Sequence, residues 1–93
     1  MESVSNNALE AARAKLAEAE AKRETLLLRH IANGVNIASR TVEIDEGVVI
    51  APGATILAGT ILRGKTVIGA GCVIGPNTLI EDSIVDEGST VNA

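Results

Sequence analysis

Residues 44–85, written in sixes, read IDEGVV IAPGAT ILAGTI LRGKTV IGAGCV IGPNTL IEDSIV. The first place holds Ile44, Ile50, Ile56, Leu62, Ile68, Ile74 and Ile80 without exception. The fifth place holds Val48, Ala54, Thr60, Thr66, Cys72 and Thr78, all small, before ending on Ile84. Gly47, Gly53, Gly59 and Gly71 occupy the fourth place, and Asn77 stands there once. Gly adopts positive φ without steric cost and Asn visits the left-handed region most readily among the rest, so a corner every six residues is implied. Lys65 breaks that rule, with Gly64 beside it to let the turn shift by one.

Short strands joined by such corners, three to a coil, make a triangular prism with about eighteen residues per turn, a hexapeptide β-helix. The stacking follows directly. Ile44, Leu62 and Ile80 share one face, Ile50 and Ile68 a second, Ile56 and Ile74 the third. At the corners Val48 meets Thr66, Ala54 meets Cys72, and Thr60 meets Thr78. The chain has no Phe, Tyr or Trp. Ordinary cores use aromatics to fill irregular gaps, whereas stacked equivalent layers need only small branched side chains. The register slips at both ends. Residues 37–42 form an earlier sextet with Glu43 as an extra residue, and the step from Ile80 to Val85 is one residue short, with Val91 following. Ile84 is then left at a corner or facing outward. About three coils result.

Outward from the repeats toward the N-terminus the grammar changes near Gly34. From about Asn7 to Asn33 the chain is rich in Ala, Leu, Glu, Lys and Arg, with no Gly or Pro inside, and those residues lose little rotamer freedom in a helix. Ser5, Asn6 or Asn7 serves as N-cap, Glu10 is placed in the first turn, and Asn33-Gly34 reads as the stop. The apolar stripe runs Leu9, Ala12, Leu16, Ala19, Leu26 or Leu27, and Ile31, interrupted at Arg23. Its weight lies at the C-terminal end, so Leu26 to Ile31 is expected to cap the first coil while the Ala-rich start stays exposed. A weak trimeric coiled coil is the alternative for that start. Two units follow: residues 1–34, a linker or capping helix, and residues 35–93, the β-helix.

Several runs resemble one family in order and spacing. They are Leu16-Ala17-Glu18-Ala19-Glu20, Arg29 to Val35, Gly64 to Gly69, and Cys72 to Thr78. Together they resemble the middle of the bacterial bifunctional N-acetylglucosamine-1-phosphate uridyltransferase / glucosamine-1-phosphate acetyltransferase family, which serves cell-envelope precursor synthesis. Asp82-Ser83 and Asp86-Glu87-Gly88 are similar to its D-S-x-I-G-D-G stretch, with Val85 for Ile and Asp86 for Gly. The resemblance implies a left-handed coil, a hand that runs against the usual preference of parallel crossovers, and it implies a homotrimer. The family's nucleotide-binding domain and its later coils, which carry the acetyltransferase residues and bind acetyl-CoA, have no counterpart here. Asn6 or Asn7 lies near the family's metal-binding Asn, but a lone Asn without its companion Asp cannot hold Mg²⁺, and the role is not carried over.

Composition narrows the function further. A net charge of −4 argues against nucleic acid or an anionic membrane as partner, since both need clustered Lys and Arg. One Cys forms no intrachain disulfide, and no stretch reads as a signal peptide or membrane span, which leaves a cytoplasmic location as the default. His30, the sole histidine, precedes the repeats at a helix C-terminus where positive charge is favoured, so it reads as structural rather than as a general base. Cys72 reads as a buried small residue. Glu43, Asp45, Glu46 and Glu81, Asp82, Asp86, Glu87 read as solvated acidic corners, and a cation site between subunits is the lesser alternative. Gly69-Ala70-Gly71 lacks the Lys-Ser/Thr and the helix of a phosphate loop. No catalytic, cofactor-binding or metal residue is assigned, and no cofactor.

Two function classes remain. One is a non-catalytic trimerisation and scaffold module related to the UDP-N-acetylglucosamine pyrophosphorylase family, leaning away from enzyme activity for this chain alone. The other is a minimal acyl- or sugar-nucleotide transferase with sites between subunits. A short prism exposes strand edges at its ends, so a homotrimer is expected, with two trimers meeting at the uncapped C-terminal end as an extension.

Overall fold

A computed structural model describes residues 5–92. One long helix, α1 (Asn6–Ala32), leads into ten short parallel strands. The solenoid begins with β1 (Asn36–Ile37), β2 (Glu43–Ile44), β3 (Val49–Ile50), β4 (Thr55–Ile56) and β5 (Ile61–Arg63). It continues through β6 (Val67–Ile68), β7 (Val73–Ile74), β8 (Leu79–Glu81), β9 (Ile84–Val85) and β10 (Thr90–Val91). Three sheets, ordered β1-β4-β7-β10, β2-β5-β8 and β3-β6-β9, form the faces. This is a parallel-strand solenoid of about three turns, consistent with the left-handed hexapeptide β-helix.

The register matches the expected stacking. Ile44 pairs with Leu62 and Leu62 with Ile80, Ile50 with Ile68, and Ile56 with Ile74. The slips fall where the repeat frays: Ile37 pairs with Ile56, nineteen residues on, and Ile68 pairs with Val85, seventeen on. Ile56, Leu62, Ile68 and Ile74 are completely enclosed, each lying on an aliphatic neighbour one coil away. Thr60 and Thr66 share the interior. A buried hydroxyl without a partner is costly. Thr66 therefore donates to the Arg63 carbonyl at 2.8 Å and accepts from Ser83 N at 3.4 Å. Among the described residues no buried side-chain polar atom lacks a partner.

Corner geometry departs from expectation at one glycine. Gly53, Gly59 and Gly71 have positive φ, Asn77 stands at 52°, and Gly64 takes the shifted turn beside Lys65. Gly47 is not in the left-handed region. Its requirement is space, since a Cβ there would lie 3.1 Å from the Gly64 carbonyl oxygen.

The helix is capped at both ends by its own sequence. Ser5 is the N-cap, its hydroxyl accepting from Ala8 N at 3.2 Å. Because α1 starts at Asn6, Glu10 falls just beyond the first turn, which contains no acidic residue. At the other end Val35 N donates to His30 O and Gly34 N to Ile31 O, both at 3.0 Å, with Gly34 at φ 88°. That pair of bonds is a Schellman stop. Two residues later Asn36 N donates to Ala54 O, so the stop delivers the chain straight into the first coil.

The expected cap of Leu26 to Ile31 is narrower in the structure. Leu27 alone of α1 is buried, and Leu28 and Ile31 are exposed. Consecutive helical residues turn by about 100°, so three leucines in a row cannot face one surface. Arg23, which interrupts the apolar stripe, instead reaches across to the Arg40 carbonyl at 2.8 Å.

Candidate functional site

Each strand turns one residue inward and the other outward, so the outward residues stack into columns as the inward ones do. On the β3-β6-β9 face that column is Val49, Val67 and Ile84, which are 59%, 39% and 76% exposed. Ile84 thus faces outward. On β2-β5-β8 the column is Glu43, Ile61 and Leu79, and on β1-β4-β7-β10 it is Asn36, Thr55, Val73 and Thr90. One face is therefore wholly aliphatic on the outside, one mixed, and one largely polar. The aliphatic column escaped the sequence reading. The signal was the residue just before each inward position, Val49, Val67 and Ile84, which repeats its apolar character at nearly the same spacing.

The acidic corners do more than face water. Asp45 Oδ2 accepts from Gly64 N at 3.0 Å, and Asp82 Oδ1 accepts from Lys65 N at 2.9 Å. Two carboxylates from the coils on either side thus satisfy adjacent amides of one corner, where the ladder leaves N–H groups free. Glu43 and Glu46 approach Arg23 and Lys22 at 4.0 and 3.9 Å, tying the helix to the first coil through exposed ion pairs.

Residues 47–82 match the family described as bacterial transferase hexapeptide (six repeats). The chain carries a hexapeptide-repeat domain. No curated protein matches it.

Within the hexapeptide-repeat domain Cys72 is fully buried, and its thiol donates to the Asp86 carbonyl at 2.9 Å. It fills a corner between Ala54 and the following coil, away from any solvent-facing chemistry. Gly69 lies in the ladder, its N–H donating to Val85 O at 2.9 Å, so Gly69-Ala70-Gly71 belongs to a coil. His30 stands at the junction of helix and hexapeptide-repeat domain. Burial, and then the neighbouring Arg29 guanidinium, push its imidazole below the ordinary range. The expected favour for positive charge at the helix C-terminus is outweighed there by lost hydration.

Among the described residues no three of His, Cys, Asp and Glu converge to hold a metal ion, and no helix is long and apolar enough to cross a membrane. A concavity of about 580 Å³ lies between α1 and the 38–41 loop of the first coil. Leu28, Ile31 and Ile37 line it, with Glu20, Glu24 and Arg40 among its polar groups.

Proposed function

We propose that this chain is a non-catalytic trimerisation and scaffold module related to the UDP-N-acetylglucosamine pyrophosphorylase family. The observation that carries this is the outward column Val49–Val67–Ile84. Stacked aliphatic side chains on a flat face are poorly tolerated by water and pack readily against a like surface. Three such prisms around a threefold axis close without leftover faces in that direction. The polar face, with Asn36, Thr55 and Thr90, is then the solvent side. The module works in the cytoplasm, holding three copies in register.

A second reading, a minimal acyl- or sugar-nucleotide transferase with sites between subunits, draws its support from the transferase description of the matching family. Light scattering after size exclusion over a range of concentrations tests the first reading. A trimer, or a hexamer of two trimers, is expected, and a folded monomer at every concentration overturns it. Titration with acetyl-CoA and with UDP-N-acetylglucosamine separates the two. Saturable binding of either supports the transferase, and no heat or shift change with both leaves the scaffold.

A further inference from the structure

Every residue from Asn6 to Lys22 is exposed, so the first half of α1 is an arm with nothing of its own chain beneath it. At 100° per residue Leu9, Leu16 and Leu27 lie within about 20° of one another around the helix. The stripe that buries Leu27 against the first coil therefore continues unburied along the arm. Lys22 approaches Glu46, in the turn that leads into β3, so the arm leaves the solenoid at the corner that opens onto the Val49–Val67–Ile84 column.

The solenoid face is small for an interface. Three strands of two residues each, at about 4.8 Å between strands and about 3.3 Å per residue, present a patch roughly 7 Å by 14 Å. A stable interface takes about 800 Å² from each partner, so the faces alone fall well short. The groove beside α1 offers the missing area on a neighbouring copy. It has an apolar floor of Leu28, Ile31 and Ile37. Its rim carries Glu20 and Glu24 together with Arg23 and Arg40. Arg23 is already engaged by Glu43 and the Arg40 carbonyl, and the two glutamates, like charges four residues apart on one helix, favour an incoming cation. The arm brings Arg13 and Lys15 on the two flanks of its leucine stripe, and neither those two nor the two rim glutamates take part in the ion pairs found among the described residues.

We infer that the groove between α1 and the first coil receives the N-terminal arm of α1 from a second copy of this chain, Leu9 and Leu16 lying on its apolar floor and Arg13 against Glu20 and Glu24. The inference rests on the trimer proposed above. Each arm enters the next copy's groove, a heterologous contact that closes around three subunits.

Sedimentation equilibrium of the full chain and its variants tests this. Leu9→Asp with Leu16→Asp, both at exposed positions, is expected to raise the dissociation constant of the assembly at least about tenfold, leaving unfolding of the separated chain unchanged. Arg13→Glu weakens assembly, and adding Glu24→Arg restores it. Residues 13 and 24 are about 16 Å apart along one helix, so such a rescue reports a contact between copies. An assembly indifferent to the arm variants, or a charge swap without rescue, overturns the groove's occupant while leaving the trimer in place. A parent chain that is monomeric throughout overturns the trimer itself and this inference with it.

Discussion

Of the 27 residues in α1 one is buried, whereas each strand from β2 to β8, two or three residues long, buries one of its own. The helix obtains its order from local bonds, caps and propensity. The solenoid obtains its order from what lies one coil above and below. Stability in the solenoid is thus a sum over neighbouring layers, and a change in a middle layer strikes two interfaces at once. Most changes in the helix strike none.

The difference is broken most directly in the central coil. Leu62→Ala leaves a cavity between Ile44 and Ile80 and is expected to cost about 2–5 kcal/mol, read from the urea midpoint. In the separated chain, at concentrations below assembly, the same truncation at Leu16, on the exposed arm, should cost less than about 0.5 kcal/mol. A cost at Leu16 equal to that at Leu62 would erase the contrast. Next in size is Gly59→Ala. Gly59 has φ 74°, and an added Cβ would overlap the Asn77 side-chain oxygen, so a loss of about 1–3 kcal/mol is expected. Adding Asn77→Gly should return part of it by clearing the space, and the φ penalty remains.

On the helical side Ser5→Ala removes the bond to Ala8 N and should cost about 1 kcal/mol of helix stability. It should appear as reduced helical circular dichroism with little shift in the unfolding of the solenoid. His30 gives a smaller effect with a defined sign. Its value in the folded chain is lowered, so the folded state holds fewer protons than the unfolded one below the ordinary value of about 6.5. Its contribution is complete above that pH and is lost as pH falls toward the lowered value. Thermal midpoints compared at pH 7.5 and pH 5 should show a smaller acid loss for His30→Gln than for the parent chain. Smallest is Lys22→Ala, which removes an exposed ion pair with Glu46 and should cost about 0–1 kcal/mol.

Inward residues were readable in the sequence because the six-residue spacing of Ile and Leu has a single structural meaning, and even the end slips at Glu43 and Ile84 show as counting errors in that spacing. Which leucine of Leu26-Leu27-Leu28 faces the coil was not readable. That depends on where the helix axis lies over the first coil, a tertiary matter. The roles of Asp45 and Asp82 were likewise hidden. An acidic residue at a turn looks alike whether it is solvated or accepts an amide from the next coil, and the difference appears only when residues eighteen or so apart are brought side by side. The outward column was legible in principle through Val49, Val67 and Ile84, but exposed and buried aliphatics stand next to each other there and the inward one dominates the pattern.

The eighteen-residue offsets in the middle and the nineteen- and seventeen-residue offsets at the ends bear on how such a chain changes length over generations. A tandem duplication of residues 50–67 inserts one whole turn, adds about 4.8 Å of height, and leaves every aliphatic residue over an aliphatic residue. Duplications one residue longer or shorter need a local slip, like those at Glu43 and Ile84, to bring the later layers back into phase. The middle coil is therefore the unit by which this architecture grows, and the irregular coils show how a step of nineteen or seventeen residues is absorbed.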